Sequence, residues 1–304
     1  MLGSMMGAVE QGLIYGLMAL GVFITFRILN FPDLTVDGSF TTGAGIATVM
    51  TVNGYSPWLA VICAFFGGAL AGICTGLLHT KGKINGLLSG IIMMIALYSI
   101  NLRILGKPNV SLHKVGTLYD NLSVLGFIIV LVIIIKLLLD WFFRTEVGLS
   151  LRATGDNDRM IRSFGANTDN TIILGVAVSN ALVALSGGLV AHYLKYADIG
   201  LGIGMIVIGL ASVIIGEAIF GAKTIFRATL AVIFGSIIYR IIVALSVRVE
   251  WLEASDMKLI TAIIVICALV IPYARKVSKQ NALARKRTTE LLSSLQGNQT
   301  GGRK

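Results

Sequence analysis

The chain has 304 residues, of which 56% are hydrophobic and only 13% charged, with a mean hydropathy of +0.86 and a formal net charge of +10. A soluble domain carries about 25% charged residues. This chain instead contains apolar runs of about 17 to 24 residues, each long enough as a helix to cross a hydrocarbon core ~30 Å thick. The composition excludes a soluble globular protein, and the basic residues lie between apolar runs and in the tail, as cytoplasmic anchors do and nucleic-acid-binding surfaces do not.

Breaking the runs at charges, prolines and glycine clusters predicts spans over residues 7–29, 38–52, 57–79, 84–102, 122–143, 171–194, 202–220, 225–246 and 257–273. This is an all-α, polytopic membrane helix bundle of about nine transmembrane segments. It forms a transmembrane domain over residues 1–273, followed by a basic cytoplasmic tail over 274–304 that is partly disordered. The first residues have no basic stretch and no cleavage site, so residues 1–29 read as a retained span rather than a signal peptide.

The second span is short, rich in threonine and glycine, and follows FPDLTVDGSF, which makes it the candidate for a broken or re-entrant element. Asp33 and Asp37 fit a capping role at its start better than a substrate contact. The deeper residues Thr41, Thr42, Gly43 and Gly45 are assigned to a translocation pathway. In the third span Cys63 and Cys74 are eleven residues apart, about 16 Å along a helix and too far for a disulfide. Both, with Cys267, read as small buried residues.

Between the fifth and sixth spans lies a loop over residues 144–170. A short helix is expected to start there, capped by Asp156 or Asn157, to run through Met160, Ile161 and Phe164, and to stop at Gly165. Met160 and Phe164 share a face at i, i+4 spacing with Ile161 beside them, flanked by Arg152, Arg159 and Arg162. Such an element suits either a groove on a soluble partner or the membrane surface.

The glycine-rich stretch over residues 199–221 resembles the second span in character, and small residues such as Gly204, Ala211, Ser212 and Gly216 let helices approach closely. Gly204 and Ser212 are added to the pathway. Arg240 lies inside the eighth span, either snorkelling to the headgroups or facing a polar cavity where it would meet an anionic solute group. Of the 25 basic residues, seventeen fall on one side of the bundle and six on the other. The N-terminus is therefore expected outside and the C-terminus in the cytoplasm, with the tail touching anionic lipid.

Several chemistries lack their residues. The nearest string to a phosphate-binding loop, GEAIFGAKT, has Ala222 between Gly221 and Lys223 and ends an apolar run, so no nucleotide site is expected. His79, His113 and His192 have no Glu or Cys at metal-ligand spacing. Glu10, Asp140 and Glu217 lie near span ends, and no carboxylate pair sits at mid-depth to carry an ion. An enzyme is not expected, and an ion-coupled secondary transporter or channel is the alternative reading.

The loop positions Gly148, Leu151, Arg152, Ala153, Gly155, Asp156, Asn157 and Gly165 resemble the cytoplasmic loop of permease subunits of ATP-binding-cassette (ABC) importers of the branched-chain amino acid type. The segment RILNFPDLTVDGSFTTGAG is similar to the pattern after the first span of that family, closest to its tryptophan/tyrosine-type branch. Two departures are visible: Asp156 replaces the usual glutamate, and Met160 and Ile161 replace small alanines.

The resemblance implies that Arg152, Gly155, Asp156, Asn157, Met160, Ile161, Phe164 and Gly165 form a coupling helix that seats in a separate ATPase subunit. That subunit would hold ATP and Mg, and this chain would hold no cofactor. The resemblance further implies an extracytoplasmic solute-binding protein, a second permease copy, and a bacterial plasma membrane. The function implied is translocation of a small solute, an amino acid or related compound.

Overall fold

The computed structural model describes residues 2–113, 115–120, 123–165 and 167–246, and beyond them only residues 259, 262, 263, 266 and 270. The predicted ninth span, Cys267 and the tail fall almost entirely outside the described residues. The account below concerns the unit of residues 1–257.

The first apolar run forms α1 (Leu2–Val22), whose end widens into a π-helical turn, Phe23–Ile28. There Leu29 N donates to Ile24 O at 2.9 Å, an i to i−5 bond, and Asn30 (φ +52°) ends the turn in the left-handed region. Such turns are rare, occur mostly as single-turn bulges inside α-helices, and are frequent at functional sites. Next come α2 (Thr35–Val52), α3 (Pro57–Thr80) and α4 (Gly86–Leu105). Pro57 begins α3 where its missing N–H costs nothing. Asn85 caps α4, and Gly106 at φ +68° stops it.

A connection containing β1 (Asn109–Ser111) leads to α5 (Val124–Phe142), and the loop after it folds as α6 (Glu146–Asp156) and α7 (Asp158–Ser163). The longest helix, α8 (Thr168–Leu194), follows, then β2 (Tyr196–Asp198), a shorter α9 (Met205–Phe220) and α10 (Ile225–Ser246). The pair of three-residue strands is antiparallel, with Val110 opposite Ala197. It is the only departure from an all-helical fold among the described residues.

Six helices are long and apolar enough to cross a membrane, and α9 is a shorter apolar one. The expected count of about nine is therefore not reached among the described residues. The 18 residues of α2 are continuous, so the second span is not the broken element. The break lies instead ahead of α9, whose 16 residues cover only ~24 Å.

α8 packs against α2, which runs parallel to it, and α3, which runs antiparallel, and these two also pack on each other. Their backbones almost touch: a Cβ on Gly43 would overlap the Ala184 carbonyl, and one on Gly68 or Gly72 would overlap carbonyls of Asn180 or Val176. Close approach of this kind, not apolar burial, is what packs helices in lipid, where the tails outside are as apolar as the core. Cys63 is half-buried and Cys74 exposed, so these two residues are not core, contrary to expectation.

Candidate functional site

Two assemblies of polar and special-geometry residues stand out, one at half height of the bundle and one at the end where α6 and α7 lie. The first is built where α2 meets the approach to α9. Asp33, buried just ahead of α2, accepts Thr35 N at 2.9 Å through Oδ1 and Asn180 Nδ2 at 2.7 Å through Oδ2. It thus serves the start of α2, as a capping residue should, and ties it to the middle of α8.

Asp37 does something the sequence did not suggest. Its Oδ2 accepts Gly204 N and its Oδ1 accepts Ile206 N, both at 2.8 Å. The carboxylate of one helix therefore caps another, satisfying amides that a helix N-terminus leaves free and meeting the positive end of its dipole. Gly204 has φ +86°, and Gly202 approaches so closely that a Cβ would overlap the Asp37 carbonyl. Gly202 N also donates to Thr41 Oγ1 at 3.0 Å. Gly38, next to Asp37, packs on Leu97 near the middle of α4, so α9 starts near half height.

Beside this junction is a pocket of about 490 Å³ lined by Asp37, Gly38, Thr41, Asn101 and the apolar side chains Met94, Ile95, Tyr98, Ile199 and Ile203. Of the residues assigned from sequence to a pathway, Thr41 lines it and Gly204 adjoins it. Thr42 is one turn away from Gly38, bonded to Asn101 Oδ1 at 2.8 Å. The others sit elsewhere. Gly43 packs on α8, Gly45 lies in ordinary contact with Leu105, and Ser212 donates to Ile208 O at 2.8 Å while its own carbonyl faces Gly235 of α10. Arg240 neither snorkels nor meets the pocket: it donates to Gln11 Oε1 and lies over the Tyr15 ring, 4.5 Å from its centroid, both on α1.

The second assembly is the α6–α7 corner. Thr145 caps α6 by accepting Gly148 N at 3.3 Å, and Asn157 caps α7 by accepting Met160 N at 3.1 Å. Gly165 (φ +83°) follows the end of α7, so the short helix occupies the predicted place. The sequence reading missed α6, which contains most of the loop motif. Its glycines and leucine are contact points: Gly148 packs on the Phe142 and Phe143 backbones, Leu151 is fully buried against Gly175, and a Cβ on Gly155 would overlap the Ile28 carbonyl. α6 therefore rests directly on the π-helical turn of α1.

Met160 on α7 and Phe164 at its C-cap are 49% and 78% exposed, with nothing covering them among the described residues. Arg162 holds α7 to the start of α8 by donating to Thr168 Oγ1 at 2.7 Å and Asp169 Oδ1 at 3.3 Å. An open groove of about 770 Å³ runs beside α6, lined by Arg27, Asn30, Arg152, Gly155 and Asp156 among others. Among the described residues no group of three or more His, Cys, Asp or Glu could hold a metal ion.

Six membrane-length helices, a shorter helix starting at half height beside a pocket, and an exposed amphipathic corner are the features of an integral membrane protein. The chain belongs to the family described as "Branched-chain amino acid transport system / permease component", whose model matches residues 4–269. It is an integral membrane permease subunit of an ABC-type import system, a transport subunit rather than an enzyme.

The chain is 44% identical over 269 residues, 88% of its length and 91% of the relative's, to a "Tyrosine transport system permease protein" of Clostridioides difficile. This agrees with the branch that PDLTVDGSF suggested. It is 29% identical over 205 residues, 60% of its length and 64% of the relative's, to a "Probable branched-chain amino acid transport permease protein LivH" of Methanocaldococcus jannaschii. A solved structure, "PsaBC from Streptococcus pneumoniae in complex with Fab", matches with a TM-score of 0.51 at 15% identity, covering 86% of this chain and 89% of that one. That likeness is one of fold.

Proposed function

We propose that this chain carries an amino acid with an apolar or aromatic side chain across a bacterial plasma membrane, driven by a separate ATPase subunit that docks on α7. The observation that carries the docking is the pair Met160 and Phe164, exposed on a capped helix that α6 holds against the bundle. An apolar knob on a short helix fits a groove in a soluble partner. A polar substitution there would weaken docking without touching the core.

In this reading the partner holds ATP and Mg, an extracytoplasmic binding protein delivers the solute, and two copies of the chain form the pathway, with the N-terminus outside. Cyclic pairs are the commonest assembly of like subunits. ATP binding and hydrolysis shift the pair between outward- and inward-facing states through differential binding of nucleotide. Because Gly155 bears on Ile28, movement of α6 reaches the π-helical turn, and from there the segment that carries Asp33 and Asp37. The amino-acid class is supported by the tyrosine-permease relative at 44% identity.

The test is tag purification from mild detergent, with mass spectrometry for a nucleotide-binding ATPase. Wild type is expected to retain it, and Phe164→Asp to lose most of it while keeping the same size-exclusion profile. An ATPase retained equally by both would remove α7 from the interface.

A further inference from the structure

The pocket at half height combines a carboxylate with apolar walls, and this combination selects a ligand chemistry. The Asp37 carboxylate accepts the Gly204 and Ile206 amides, and the Met205 amide is also directed at it, whereas an ionised carboxylate has about four acceptor positions. The group therefore keeps acceptor capacity. The pocket lining contains no Lys, Arg or His, so the one formal charge facing the space is negative, offset only in part by the N-terminus of α9. An anion entering here meets repulsion and a cation attraction.

The remaining wall is apolar, from Met94, Tyr98, Ile199 and Ile203. At about 490 Å³ the space falls in the range of small-molecule sites. The non-helical stretch 199–204 that frames it is tolerated at this depth only where it is buried in protein or lines a cavity.

We propose that this pocket is a solute station that holds an amino acid by its ammonium group on Asp37 and Thr41, with the apolar side chain against Met94, Tyr98, Ile199 and Ile203. The inference rests on the amino-acid-permease reading. It adds the orientation of the solute and the rule that the ammonium group, not the carboxylate, is recognised here.

The test uses the full-length permease with its co-purified ATPase in nanodiscs, with native cysteines replaced and Ile203→Cys introduced at the pocket mouth. Maleimide labelling is timed with millimolar L-tyrosine, tyramine (no carboxylate) or 3-(4-hydroxyphenyl)propionate (no ammonium). L-Tyrosine and tyramine are expected to slow labelling several-fold and the acid to leave it unchanged. Protection by the acid equal to that by tyramine, or no protection by any of the three, would overturn the proposal.

Met94→Trp, which fills the pocket without touching the Asp37 cap, is expected to lower L-tyrosine uptake by the complete system at least about tenfold with the ATPase still bound. Normal uptake by Met94→Trp would also overturn the pocket while leaving the permease reading intact. An absent ATPase and no uptake in wild type would instead count against that reading itself.

Discussion

Asp37 belongs to α2 but caps the N-terminus of α9. Replacing it with Ala leaves the Gly204 and Ile206 amides without their partner, and a buried donor left unmade costs about 1–3 kcal/mol. Asp37→Ala is expected to lower the thermal midpoint, read by fluorescence-detected size exclusion, by several degrees. An unchanged midpoint would mean that the cap contributes nothing. Gly155 is critical for the opposite reason, as contact there leaves no room for a side chain. Gly155→Val would drive α6 off Ile28, and limited proteolysis is expected to cut within residues 144–170 faster than in wild type, with the membrane helices still protected.

Among the membrane-length helices α5 packs on few neighbours, α1 and α10, and most of its surface faces outward. Its buried stripe is Ile128, Val132, Lys136, Leu139 and Asp140. Lys136 Nζ donates to Asp140, Asp140 Oδ1 accepts Thr229 Oγ1 of α10 at 2.8 Å, and the ammonium sits 3.1 Å from the centroid of the Phe226 ring. An ion pair buried among apolar helices is costly to break but not necessarily stabilising against a hydrophobic replacement. Lys136→Met alone, which strands a buried carboxylate, is expected to cost ~3 kcal/mol or more. The double variant with Asp140→Leu should recover much of that. Strict additivity in denaturant or thermal unfolding would show that the pair is not coupled.

At the scale of the molecule the two ends of the bundle are chemically distinct. One end carries α6 and α7. The other carries the β1–β2 pair and the loop held by Asp120, whose carboxylate accepts Thr117 N at 2.6 Å and Thr117 Oγ1 at 2.7 Å and faces Lys195 at 3.6 Å. These hydrogen bonds, chiefly that from the Thr117 amide, hold the Asp120 carboxyl below its usual range. A lowered folded value means that its contribution is complete above the unfolded value near 3.9 and disappears as pH falls through the folded one. The difference in thermal midpoint between wild type and Asp120→Asn is therefore expected at pH 5–7 and should shrink below about pH 4. The same two ends set the orientation test. A cysteine at His113 should react with an impermeant maleimide in intact cells, and one at Phe164 only after permeabilisation. The reverse pattern would invert the proposed topology.

The segments that sequence alone determined are those whose signal is local. Apolar length marked most of the described membrane helices to within a few residues, because a helix in lipid must satisfy its own backbone over the whole core. Asn157 and Gly165 marked α7 because capping and left-handed stops are decided by one or two residues. The loop motif and PDLTVDGSF placed the chain in its family. Tertiary structure alone decided what depends on residues distant in sequence. That Asp37 caps α9 across 167 positions, that Gly155 seats on the π-helical turn, and that Arg240 turns to Gln11 leave no periodicity or spacing to read. The sequence marks α2 as the candidate for a broken or re-entrant element for the same reason: threonines and glycines mark a close contact without saying which partner is interrupted. The partner, the stretch before α9, is set only when the two glycine-rich segments meet at half height of the bundle.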